Sequence, residues 1–296
     1  MTVPTISPNS PLPLRARLID AAFWLLAQLP LTALHRLGAA LGELAWRLPG
    51  RYRDRLNENL AHAYPAASAK AAARAAGQMM IEMPYWWKRD PAVEVPRWCA
   101  NQDWSAIDAA LAEGHGAILL TPHFGGFEAL AAICAEHIPL TVLFRPPHEV
   151  WLRDWIAQVR VKRNLRTAPA DLSGVRTLVR TLRSGKAVGI LPDQVPSAGE
   201  GVWAPFYGKP AYSMSLAHRL HHLTGAPVFV LVNERLPATQ GYRVHIRRLD
   251  ALPLDPAAGM AQVNAAMEAM IGVAPEQYLW SYNRYKNPGV SGPDEA

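Results

Sequence analysis

Residues 121–128, Thr-Pro-His-Phe-Gly-Gly-Phe-Glu, hold a histidine and a carboxylate, a pairing able to move a proton between a hydroxyl and a leaving group. His123 directly follows the short apolar run Gly116-Ala-Ile-Leu-Leu-Thr-Pro122, the signature of a strand buried on both faces. Glu128 stands five residues later, just inside the next helical stretch. Gly125 and Gly126 between them allow a sharp turn or a close backbone approach. Such a turn is expected to fold Glu128 back against one ring nitrogen of His123. That bond fixes the tautomer and makes the other nitrogen the better general base. No serine or cysteine adjoins the pair, so the substrate must supply the nucleophile. The plain alternative is a histidine that merely caps a strand end; the strand–His–Gly–Gly–acid context favours catalysis.

Asp193 ends a second buried run, Ala187–Leu191, and a shared sheet would bring it near His123. There it would hold the histidine, a substrate phosphate or a basic segment; an exposed turn aspartate is the alternative. The segment Arg160-Val-Lys-Arg-Asn-Leu-Arg166 places four basic residues in seven. It suits lipid phosphates or an acidic protein surface, against the ordinary reading of a solvated face. Nucleic acid fits worse, because no binding module is recognisable and no aromatics interleave with the run. His218, His221 and His222 share a helical stretch, but no acid accompanies them, which argues against a metal site. Tyr85-Trp-Trp87 lines an apolar pocket, dips into a bilayer or packs in the core.

These residues need a scaffold. Further apolar runs lie at Leu140–Phe144, Val228–Val232 and Arg243–Ile246. Helical stretches at Phe127–Glu136, Val175–Arg183, Ser213–Leu223 and Ala258–Ile271 separate most of the runs. Alternation over this length predicts an α/β fold with a largely parallel or mixed central sheet flanked by helices. Residues 14–48 read as helical with a break at Pro30, followed by a short basic helix ending near Pro65 and an Ala-rich helix over 68–88. Asp103 is placed to cap a helix over Trp104–Glu113. The expected organisation is a disordered stretch at 1–13, a helical N-terminal region at 14–115 packed on the core, the α/β core at 116–288 and a flexible tail at 289–296.

Among 296 residues half are apolar, ample for a core. Cys99 and Cys134 are the only cysteines and have no metal-like spacing, which excludes a disulfide scaffold or zinc ribbon and fits a reducing compartment. The charge of +6 points to an anionic partner: nucleic acid, an anionic membrane, a phosphorylated lipid or an acidic carrier protein. The longest uncharged run, Ala21–Leu34, has fourteen residues, is interrupted by Pro30 and lacks a cleavage site. Spanning a bilayer takes about 20 residues, so the run reads as an interfacial helix flanked by Arg15, Arg17, Arg36 and Arg47, or as a core helix. With no export signal, the chain is expected to stay on the cytoplasmic side.

His-x-x-x-x-Glu after a buried strand resembles the first block of the glycerolipid acyltransferases, and more closely the lauroyl/myristoyl acyltransferases that complete lipid A in Gram-negative bacteria. The resemblance continues in order through Leu143-Phe-Arg-Pro146, Leu191-Pro-Asp-Gln194, Trp203-Ala-Pro-Phe-Tyr-Gly208, Ala226-Pro-Val-Phe-Val230 and Pro275-Glu-Gln-Tyr-Leu-Trp-Ser-Tyr-Asn-Arg-Tyr-Lys286. It implies an acyl-carrier-protein thioester as donor, a lipid A precursor as acceptor, and no metal or organic cofactor. It also implies a bacterial inner membrane location, peripheral or monotopic on the cytoplasmic face. The site would comprise His123 as base, Glu128 orienting it, and Arg145, Arg160, Arg163, Asp193 and Gln194 on the substrates. Alternatives are another lipid acceptor (a lysophospholipid, an amino-acid lipid or a polyene headgroup), a thioesterase in which water replaces the hydroxyl, or a membrane scaffold that has lost catalysis.

Overall fold

The computed structural model describes residues 13–99, 102–145, 147, 149–160, 163–237 and 240–292. The expected disordered stretch up to residue 12, the last four residues and Lys162 lie outside them. The chain opens with seven helices: α1 (Leu14–Ala27), α2 (Leu31–Arg47), α3 (Arg51–Ala63), α4 (Ala69–Ile81), α5 (Met83–Lys88), α6 (Pro91–Trp98) and α7 (Ser105–Ala112). Strands and helices then alternate: β1 (Ala117–Leu120), α8 (Phe127–His137), β2 (Leu140–Phe144), α9 (Val150–Val159), β3 (Leu165–Pro169), α10 (Leu172–Arg183) and β4 (Ala187–Ile190). A hairpin of β5 (Gly201–Phe206) and β6 (Lys209–Met214) follows, then α11 (Leu216–Thr224), β7 (Val228–Arg235), β8 (Tyr242–Arg248) and α12 (Pro256–Ile271).

Six strands form one sheet in the order β3-β2-β4-β1-β7-β8, parallel throughout except for β7 with β8. The short β1 and β4 are apolar at every position because both faces are covered. Ile118, Leu120, Val188 and Ile190 pack with α10, α11 and α12. Ala117, Leu119, Ala187 and Phe229 point the other way, toward α7 and α8. The architecture is thus the α/β fold expected from the sequence, with one antiparallel edge strand.

Where the elements differ in detail, a cause is visible. The hairpin of β5 and β6 carries Pro205 opposite Pro210, and two prolines mask a strand pattern although a two-stranded ribbon tolerates them. Its turn, Tyr207-Gly208, has positive φ at both residues, the geometry that matches strand twist. The helical stretch expected from Ser213 therefore begins only at Leu216. Residues 160–166 are not one helix face: Arg160 ends α9, and Arg166 already lies in β3.

The N-terminal helices fold back onto the sheet region. α1 and α2 meet at Pro30 with a bend of 115°, and neither is long and apolar enough to cross a membrane. α2 lies against α4 with almost no side chain between them: a Cβ on Gly77 would stand 2.0 Å from the Gly38 carbonyl oxygen. This face of α2 is buried, while Leu37, Leu41, Leu44 and Leu48, at helical spacing, stay exposed on the other. Leu14, Leu18, Trp24 and Leu25 are likewise exposed on or beside α1.

A buried ion pair joins this helical layer to the sheet. Arg235 of β7 donates twice to Glu82, at 3.0 and 2.9 Å, and once to the Gly125 carbonyl, at 3.0 Å. Tyr242 donates to the same carboxylate at 2.7 Å, and His35 of α2 bonds it at 2.8 Å. Burial works against the Glu82 charge, but Arg235 and His35 outweigh it and hold the carboxyl below its usual range. Removing Glu82 leaves the Arg235 charge buried with no counter-charge, and removing Arg235 takes the full positive charge from the buried Glu82 carboxylate. Glu82→Ala and Arg235→Ala are each expected to destabilise the protein by about 3–5 kcal/mol in urea denaturation. A loss no larger than that of an exposed ion pair would show that the network contributes little.

Candidate active site

The parallel register of β1 and β4 sets Leu120 opposite Ile190, and the pairing continues where Thr121 donates its N–H to the Ile190 carbonyl at 3.1 Å. Three residues beyond each strand partner come His123 and Asp193. The Asp193 carboxylate takes two bonds from His123: the main-chain N–H at 2.9 Å on one oxygen and ring Nδ1 at 2.9 Å on the other. A carboxylate only accepts, so Nδ1 carries a proton, and in the neutral ring Nε2 keeps its lone pair. The Gln194 side-chain nitrogen lies 3.4 Å from that Nε2.

Glu128 does not bond the ring, and here the structure corrects the sequence-based expectation. Position 128 is in the first turn of α8, and its buried carboxylate accepts from Trp87 Nε1 at 2.9 Å and forms an ion pair with Arg160. The Arg160 guanidinium is sandwiched between the Trp87 ring, 4.9 Å from its centroid, and the Phe144 ring, at 5.1 Å. The turn between His123 and Glu128 runs away from the imidazole because the glycines dock elsewhere. Gly125 has φ +51, and a Cβ there would stand 2.1 Å from the Asn233 carbonyl oxygen. Asn233 bonds Gly126 through both its main-chain oxygen and its side-chain amide.

Burial disfavours the imidazolium of His123, yet the charge and hydrogen bond of Asp193, with help from the charge of Glu128, hold its pKa above the ordinary histidine value. Asp193 is opposed by burial too; His123 and the field of buried Arg284 keep its carboxyl below the usual range. The C-terminal segment braces this pair. Leu279 donates to the His123 carbonyl at 3.0 Å, Gly125 donates to the Gln277 carbonyl at 2.9 Å, and Tyr282 accepts at its hydroxyl from the Val195 N–H at 2.9 Å.

His123 opens into a cavity of about 340 Å³ between the sheet and α8. Its lining is mostly aliphatic, including Leu119, Val142 and Leu231 of the sheet and Leu130 and Cys134 of α8. Trp87, Glu128, Arg145, Arg160 and Gln194 border it as well. Arg145, exposed after β2, approaches Glu200 at 3.8 Å. Arg163 is exposed and sits next to Asn164, whose carbonyl bonds Leu140 N–H at the start of β2. That is the edge of the sheet away from His123. His218 and His222 both bond the Pro253 carbonyl, and among the described residues no group of His, Cys, Asp or Glu is arranged to hold a metal. Trp87, one of three aromatics with an open role, belongs to the site wall. Arg235, Asn233 and Gln277, which fix the glycine turn, carry no sequence signal because each acts across more than forty residues.

The chain is 27% identical to the lipid A biosynthesis palmitoleoyltransferase of Escherichia coli (strain K12) over 278 residues, covering 90% of this chain and 89% of that protein. It is 27% identical to the lipid A biosynthesis lauroyltransferase of the same organism, over 89% of this chain and 88% of that one. A lipid A biosynthesis acyltransferase of Haemophilus influenzae is 27% identical over 175 residues, 59% of this chain and 55% of the relative. Residues 12–287 match the family described as bacterial lipid A biosynthesis acyltransferase. The chain belongs to that family and is an acyltransferase.

Proposed function

We propose that the protein transfers a fatty acyl group from an acyl-carrier-protein thioester to a hydroxyl of a lipid A precursor, with His123 as general base. The observation that carries this reading is a carboxylate-oriented imidazole at the wall of a largely apolar cavity, with Gln194 beside its second nitrogen. The acyl chain lies in the cavity with its thioester carbonyl beside His123. Nε2 takes the proton of the acceptor hydroxyl as the oxygen attacks that carbonyl. The new C–O bond forms, the C–S bond breaks, and the thiol leaves with the proton returned by the imidazolium. Asp193 holds the ring and stabilises its cationic form. Glu128 acts on Arg160, fixing that cation against Trp87 at the cavity wall. Arg145 and Gln194 at the mouth meet the polar parts of donor and acceptor, and Arg163, exposed away from the cavity, serves the carrier protein's acidic surface. The lipid acceptor calls for attachment to the cytoplasmic face of the inner membrane. The exposed leucines of α1 and α2, with Arg15, Arg17 and Arg36 among them, suit the headgroup boundary of an anionic bilayer.

The reading is tested with purified protein, acyl carrier protein thioester and lipid A precursor. His123→Ala is expected to lower turnover by roughly 10²- to 10⁴-fold while the fold is kept. Near-normal turnover in a folded variant rejects the mechanism, and transfer only to a different lipid moves the acceptor to another class. Because the base must be neutral, activity should rise with pH through the raised His123 pKa. Asp193→Asn removes the charge that raises it and leaves burial to dominate, so the acidic limb of the pH profile should move down as kcat falls. A limb that stays in place would mean that another group titrates.

Glu128 and Arg160 are expected to act as one unit. In a double-mutant cycle with Glu128→Gln and Arg160→Met, a coupling of about 1–3 kcal/mol in kcat/KM is expected. Strictly additive losses would separate the two roles. For the membrane, replacing Leu37, Leu41 and Leu44 together by Ser should release protein from anionic liposomes in flotation. Activity on detergent-dispersed lipid should suffer less. Equal flotation of both proteins would assign attachment to another surface.

A further inference from the structure

Leu119 of β1, Gly189 of β4 and Val142 of β2 stand side by side in the parallel register, all on the sheet face that borders the cavity. The first and last present side chains to it; Gly189 presents bare backbone. Every other position of β1 and β4 is Ala, Val, Ile or Leu, so Gly189 alone adds no side chain to the layer, and the Val142 side chain lies over its backbone. Backbone conformation does not call for it, because Gly189 is not among the residues with positive φ. Nor does neighbouring backbone crowd it. The three atoms nearest an added Cβ are Val142 Cγ1 at 2.9 Å, Leu140 Cδ1 at 3.6 Å and Val142 Cβ at 3.8 Å, all side-chain atoms. Val142 is itself only partly buried and lines the same space. Glycine weakens a strand interior and marks places where something must approach the backbone closely.

Position along the cavity gives the missing side chain a meaning. Gly189 lies in β4, one residue before the strand ends and four before Asp193, so it sits deeper in the sheet than the His123–Asp193 pair. Leu140 and Leu165, paired at the starts of β2 and β3, line the cavity beyond it. A hydrocarbon whose carbonyl sits at His123 therefore passes Gly189 with its distal methylenes on the way to Leu165. We infer that Gly189 sets the length of acyl chain the site accepts: its missing side chain lets Val142 lie back against the sheet, which keeps the passage to the Leu140–Leu165 end open, and any side chain at 189 would push Val142 into it. The inference rests on the acyl-transfer reading and names the residue that tunes its donor.

The test is kcat/KM of the full chain with a graded series of saturated acyl-carrier-protein thioesters, read by mass spectrometry of the lipid product. Gly189→Val should keep turnover with the shortest donors and lose about fourfold for each methylene that no longer fits. Cys134→Phe, which narrows the cavity from α8 without touching the sheet, should shift the profile the same way, and Leu165→Ala should shift it toward longer chains. An unchanged profile in the folded variants overturns the inference alone. Equal loss with every donor does so too, since it reduces Gly189 to strand packing. Absence of transfer by the wild-type protein from all donors removes the acyl-transfer reading and this inference together.

Discussion

Hydrogen bonds between the parallel strands β1 and β4 run from Ala117 opposite Ala187 to Leu120 opposite Ile190, and the site inherits its geometry from that ladder. Equal extensions of three residues carry His123 and Asp193 past the same edge. A slip of one residue would move each strand's side chains to the opposite face and part the pair. Such a slip is prevented because both faces of both strands are packed, one against α10 to α12 and the other against α7 and α8. The geometry of the His123–Asp193 pair is therefore specified by the core.

The pair is also electrostatically mutual. Neither charge is favourable at this depth alone, and each is maintained by the other, with Arg284 and Glu128 adding smaller fields of appropriate sign. The C-terminal segment closes around this arrangement, and its Leu279 holds the carbonyl of the histidine itself. On the far side of the glycine turn, Arg235 grips Gly125 while paired with Glu82, which ties the same loop to the helical layer. The reacting loop is thus held from three directions, by β7, by the C-terminus and by Asp193.

Local pattern revealed much of this. The apolar runs at Gly116–Pro122 and Ala187–Leu191 mark buried strands because period and length suffice there, and the same reasoning placed Asp193 near His123. The partner of Glu128 was not legible: a spacing of five suggests a return to the histidine, but the path is decided by Asn233 and Arg235, more than a hundred residues away. The prolines of β5 and β6 hid a hairpin. Arg160 looked like one cation in a run of four, whereas two aromatic rings and a buried acid single it out. Alternation and composition are local quantities, and these features are long-range contacts.

The direction of the cavity has a kinetic consequence. In the proposed transfer, an acyl chain lodged between His123 and Leu165 would enter methyl end first and react at its carbonyl carbon, so its tail would withdraw the way it came. Pulling hydrocarbon out into water would cost about 0.8 kcal/mol for each methylene, and release would slow steeply with chain length. Withdrawal into a bilayer avoids that cost, since the surroundings at the start and finish are equally apolar. The exposed Trp24 and Leu25 of α1, which follow a Phe23 packed on Trp87 and Trp155, would then do more than the anchoring proposed for them. They would keep the exit in oil, so that turnover does not wait on a greasy product leaving through water.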